Sequence, residues 1–172
     1  MMSLSKALKE REDKIVKRWE DKLINSYPED TRRFLKKEKD QFANPVGYII
    51  RNELRNLYNG FITQDKEKIT SSLNQIIKVR AVQDFSPSAA LYFIVELEDV
   101  IKEETDWNSF NNKEKEELSK RINSLLLEAF DIYEQCRYRL YELRVNEVRN
   151  QVSGLLKMAN LVYEVPTDIT SK

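Results

Sequence analysis

From Leu4 to Ile24 the apolar residues Leu4, Leu8, Ile15, Trp19 and Leu23 are separated by multiples of three or four, and charges fill most positions between them. That spacing puts them on one face of an amphipathic first helix. Tyr27-Pro28-Glu29-Asp30 interrupts the pattern and opens a shorter, strongly basic helix to about Lys39, with proline in a first turn and two acids at the positive helix end. Asn44-Pro45 reads as an N-cap followed by proline at the first helical position, and Val46, Ile50, Leu54, Leu57 and Phe61 continue at helical spacing. Asp65 caps a fourth helix carrying Ile69, Leu73, Ile76 and Ile77, which runs into Arg80-Ala81-Val82-Gln83-Asp84-Phe85 before Ser86-Pro87 starts the next. The fifth helix, Ser88 to about Glu104, is apolar around more than one stripe, so it is expected at the centre of the core.

A polar connection from Asp106 to Asn112 ends in a capping box, Asn111 with Glu114 three residues on. A long helical pattern follows. Leu118, Ile122, Leu125, Ala129, Ile132 and Cys136 alternate steps of four and three, and so do Val145, Val148, Val152, Leu155, Ala159 and Val162. The phase slips between Cys136 and Val145. One face is therefore expected on the domain in the first half, and a different face, meeting a second chain, in the second half. Gly154 weakens the pattern and Pro166 ends it. The pattern describes a single all-α domain over residues 1–165 with a flexible tail at 166–172.

Composition narrows the chemistry. Three glycines and four prolines in 172 residues argue against turn-rich β architectures. The chain has no histidine, which removes the usual serine and cysteine triads, mixed His/Cys zinc sites and proximal-histidine haem ligation. A single cysteine, Cys136, forbids an internal disulfide and any multi-thiolate metal site. With 29 basic and 29 acidic residues the whole-protein field gives no general attraction to nucleic acid or anionic lipid, although local patches remain. The longest strongly apolar stretch, Ala89 to Val95, is too short to span a bilayer. These features lead to the expectation of a cytoplasmic protein with no cofactor, no nucleic-acid partner and no membrane insertion.

Several blocks are distinctive beyond helix propensity. They are Arg18-Trp19-Glu20 to Tyr27-Pro28, Phe34-Leu35 with Phe42-Ala43-Asn44-Pro45-Val46-Gly47-Tyr48, and Val79-Arg80-Ala81-Val82-Gln83-Asp84-Phe85-Ser86-Pro87-Ser88. Ala129-Phe130-Asp131-Ile132-Tyr133 and Tyr141 to Glu147 extend them along the last helix. Together these blocks resemble the N-terminal sensor domain of stressosome RsbR/RsbRD-type co-antagonist proteins. The resemblance implies a haem-free, globin-like fold of about six helices with a long C-terminal helix. It also implies a homodimer acting as the input module of a signalling protein. No alternating strand-helix output domain follows within the 172 residues, so the signal is expected to pass to a separate protein partner.

Individual residues then divide between structural and functional readings. Arg80 continues the Ile69, Leu73, Ile76 stripe, so a guanidinium stands where the pattern expects an apolar group. An ion pair with Asp84 or the capping of carbonyls at a helix end is the structural reading, and a clamp for an anionic ligand is the functional one. Gln83, Asp84, Asn44 and Tyr48 accompany it as candidate signal-binding residues. A close helix crossing explains Asn44 to Tyr48 equally well. Cys136 sits on the apolar repeat and reads as a small buried hydrophobe, with Arg137 and Arg139 near enough to raise redox sensing as the alternative. Arg32, Arg33, Lys36, Lys37 and Lys39 form the clearest basic cluster, but with Asp30, Glu38 and Asp40 interleaved it is a solvated face by default and a docking surface for an acidic partner otherwise. Leu140, Val145, Val148, Val152 and Leu155 are the candidate dimer contacts.

The resulting expectation is a non-catalytic sensor or interaction module that signals through its terminal helix. The alternative is a carrier holding an apolar small molecule, such as a fatty acid, in a helical cavity lined by Tyr48, Tyr92 and Phe93.

Overall fold

A computed structural model describes residues 3–83 and 85–159. They form seven α-helices and one short 3-10 turn, with no strand among the described residues. The fold is all-α and ends in a long C-terminal helix. The helices are α1 (Leu4–Glu10), α2 (Glu12–Asn25), α3 (Glu29–Lys37), α4 (Pro45–Thr63), α5 (Lys66–Val82), α6 (Pro87–Glu104) and α7 (Asn112–Met158), with the 3-10 turn at Trp107–Ser109 before α7. The chain divides into two units, Met1–Cys136 and Arg137–Lys172. Asp84, Val162, Pro166 and the tail expected at 166–172 lie outside the described residues.

The local signals that begin each helix act as their chemistry requires. Asn44 accepts the Gly47 backbone N–H through its side chain at 2.8 Å, Asp65 accepts that of Lys68 at 3.1 Å, and Ser86 accepts that of Ala89 at 3.3 Å. Each satisfies one donor that a helix start leaves without an intrahelical partner. The box at α7 is reciprocal: Glu114 N–H donates to Asn111 Oδ1 at 2.9 Å, and Asn111 N–H donates back to Glu114 Oε2 at 3.2 Å.

The expected first helix is two. Arg11 leaves helical geometry at φ −102°, ψ 8° and separates α1 from α2. The stretch Lys9 to Lys14 carries no apolar side chain, so nothing in it requires a continuous face. The Leu8 carbonyl near the break accepts the buried Tyr58 hydroxyl from α4 at 3.1 Å. That bond fastens α1 to α4, and Leu4, Ala7 and Leu8 are buried with it.

The core of the first unit is built around α6, as its apolar circumference predicts. Ala90, Leu91, Phe93, Ile94, Leu97, Val100 and Ile101 are all buried. Trp19 of α2 lies with its ring 5.8 Å from that of Phe93, and its indole N–H donates to the Phe93 carbonyl at 2.5 Å. Burying a side chain of this size contributes about 1.5–3 kcal/mol. The indole bond removes the cost of hiding a polar group with it. Helices α4 and α5 pack on each other, and α2 packs on α6. From α7 the first unit takes Leu118, Ile122, Leu125, Ala129, Ile132 and Tyr133, all buried.

Candidate functional site

The last turn of α5 carries the one fully buried arginine among the described residues. Arg80 has 0% of its surface in solvent. Its Nε donates to the Ala90 carbonyl at 2.9 Å, and one Nη donates to the Ala89 carbonyl at 2.8 Å and to Ser26 Oγ at 3.0 Å. The other, Nη1, has no hydrogen-bond partner among the described residues. The guanidinium carbon lies 4.2 Å from the Phe85 ring centre and 5.2 Å from that of Tyr27, and those two rings meet edge-to-face. These carbonyls lie in the first turn of α6, so the contacts are a helix-to-helix tether and differ from the capping of carbonyls at a helix end. The expected ion-pair partner, Asp84, is outside the described residues.

Arg80 thus joins the end of α5 to the first turn of α6 and to Ser26 at the end of α2. Gln83 belongs to the same group, since its side-chain carbonyl accepts the Tyr27 hydroxyl at 3.0 Å. Burial pulls the Arg80 pKa below its usual value, opposed by Tyr27 and Glu96. It pushes the Tyr27 hydroxyl up, opposed by the neighbouring cation. Two aromatic faces and three oxygen acceptors are the environment in which a guanidinium is retained as a cation. Glu96 of α6 is half-buried, and burial raises its carboxyl pKa.

The second group centres on Asn44, which is 1% exposed. Besides capping α4, its amide N–H2 donates to the Glu38 carbonyl at 2.8 Å and to the Leu35 carbonyl at 3.4 Å. It therefore ties the loop after α3 to the start of α4. Gly47 makes room for it: a Cβ there would lie 2.3 Å from Asn44 Nδ2. Tyr48 is 43% exposed. The structure thus brings Arg80 and Gln83 together and makes Asn44 part of a separate junction. Of the residues expected to line an apolar cavity, Phe93 is buried on Trp19 whereas Tyr92 and Tyr48 are exposed. A surface cleft of about 320 Å3 lies elsewhere, over Phe61, Ile69 and Leu125 with Arg121 at its wall.

The third group is in the second unit. There Val148, Val152 and Leu155 are 57%, 48% and 62% exposed, and Leu140 and Val145 are half-buried. Tyr141, which the sequence reading had not placed here, is 66% exposed and extends the repeat back by one step. Tyr141, Val145, Val148, Val152, Leu155 and Ala159 are spaced four, three, four, three and four apart. Its missed signal was the step itself, hidden by the aromatic ring's polar end. Cys136, in the first unit, is half-buried against the core.

No protein-family model matches the chain, and no solved structure matches it. The chain is similar to an uncharacterized protein of Archaeoglobus fulgidus, with 23% identity over 146 residues, covering 84% of this chain and 89% of that protein.

Proposed function

We propose that the protein is a non-catalytic, cytoplasmic regulatory module that forms a homodimer through the second unit's portion of α7 and relays a signal to a partner protein through that helix. The observation that carries this reading is the exposed apolar seam from Tyr141 to Leu155. Alternating four- and three-residue steps are the repeat by which two helices interlock side chains. In that register Val145 and Val152 take one core position and Val148 and Leu155 the other. Val145 and Val152 at the first and Leu155 at the second match the two-stranded pattern, from which Val148 departs. A row of side chains this apolar, left in water, loses the free energy that burial on a second copy recovers, about 25 cal/mol per Å2.

The resemblance to the RsbR-type sensor domain supports the same reading, including a haem-free, globin-like input module. A two-state interface supplies the mechanism. A signal that favours one packing of α7 shifts the population toward it. The shift in phase between Cys136 and Val145 is where alternative registers cost least.

A pull-down from native cells with the intact chain and with Val152→Glu tests the proposal. A partner captured by the wild type and lost with the substituted seam agrees with it. Equal capture by both would remove the seam from the relay.

A further inference from the structure

The loop between α3 and α4 holds a phenylalanine in water by a set of hydrogen bonds. Phe42 is 86% exposed. Its N–H and that of Ala43 donate to Asp40 Oδ1 at 2.8 and 3.0 Å, and Asp40 N–H donates to Glu38 Oε1 at 2.9 Å. Asn44 N–H donates to the Asp40 carbonyl at 2.8 Å. Arg51 reaches across from α4 and donates to the Leu35 and Lys39 carbonyls at 3.3 and 3.5 Å. With the buried Asn44 amide beneath, the loop is pinned at both ends and along its length. These bonds hold the loop in a conformation that leaves the ring in solvent.

The neighbourhood carries a small cationic excess. From Glu29 to Asp40 five cations stand with the four acids Glu29, Asp30, Glu38 and Asp40, and Phe34 among them is 50% exposed. Glu38 and Asp40, the two acids of this loop, are both engaged by backbone N–H groups. Arg33 pairs with Glu29, and Lys36 donates to Asn25 Oδ1 at 3.0 Å. Arg32, Lys37 and Lys39 make no ion pair among the described residues.

The geometry points to this patch as a docking surface for an anionic lipid bilayer. Flexible lysines and arginines near a negative headgroup layer gain attraction without any fixed pairing geometry. An exposed aromatic ring beside them adds apolar contact at the headgroup and acyl boundary. A folded acidic partner would demand matched positions for each charge, and it would demand a walled pocket for Phe42. The attachment is peripheral, since no helix among the described residues is long and apolar enough to cross a membrane. It rests on the first unit alone, independent of any dimer.

Co-sedimentation of the full chain with vesicles tests it, using phosphatidylcholine with roughly one-third phosphatidylserine, and phosphatidylcholine alone, at about 0.1 M salt. The wild type is expected to sediment with the anionic vesicles only, and to be released by high salt. Lys37→Gln with Lys39→Gln should weaken binding by about fivefold per charge. Phe42→Ser should weaken it by about tenfold. These side chains are exposed, so an unchanged helical circular dichroism spectrum is expected of each variant. Absence of wild-type sedimentation, equal binding to the neutral vesicles, or indifference to all three substitutions overturns the proposal. Binding of polyglutamate, lost in the same variants while vesicles are ignored, overturns it in favour of an acidic protein partner.

Discussion

Helix α7 carries one spacing twice, with opposite outcomes. In the first unit Leu118, Ile122, Leu125 and Ala129 are 0–3% exposed. In the second, Val148, Val152 and Leu155 repeat the alternation of steps and remain 48–62% exposed. Periodicity identifies which side chains share a face. What covers that face is a separate fact, supplied in the first unit by the rest of the fold and proposed here, for the second, to come from another copy of the chain. The two sets should therefore fail in different ways when cut back.

Arg80→Ala gives the largest loss. It removes three hydrogen bonds and two aromatic contacts and leaves a cavity, which together cost roughly 3–5 kcal/mol. Thermal denaturation of the variant should show a sharp fall in Tm, and an unchanged Tm would mean the guanidinium contributes nothing to the junction of α2, α5 and α6. On α7 itself, Leu125→Ala should cost about 2–5 kcal/mol by the same cavity argument. Its urea midpoint should fall at every protein concentration.

Leu155→Ala should leave the stability of the first unit within about 0.5 kcal/mol, as exposed substitutions do. Its effect belongs to association, and dilution series of wild type and variant would separate the two. A concentration-independent destabilisation by Leu155→Ala would erase the distinction between the two halves. Glu96→Gln is the smallest change. The native carboxyl titrates above the unfolded one because burial disfavours its charge, so the folded state binds more protons and loses stability as pH rises through that interval. Glutamine removes this loss. Tm measured from acid to neutral pH should converge with wild type at low pH and exceed it slightly at neutral pH, and a variant less stable at neutral pH would contradict that sign.

Helix starts were legible because their chemistry is local. Asn44, Asp65, Ser86 and Asn111 each cap a donor within three residues, so sequence neighbours suffice to find them. The stop at Arg11 was not, because the bond beside it comes from Tyr58, fifty residues away. Arg80 stood out as a cation on an apolar stripe, but its bonds to the Ala89 and Ala90 carbonyls depend on how α5 meets the first turn of α6. Its reach to Ser26 depends on how α2 and α5 meet. The exposure of Phe42 was not legible, since it is decided by the loop's own hydrogen bonds and not by any periodic pattern.

Light scattering of the purified chain at micromolar concentration addresses the central claim most directly. A particle of twice the 20.4 kDa chain mass, falling to one chain mass in Val152→Glu with its helical spectrum intact, is the predicted result. A wild type that stays at a single chain mass throughout that range would contradict the account.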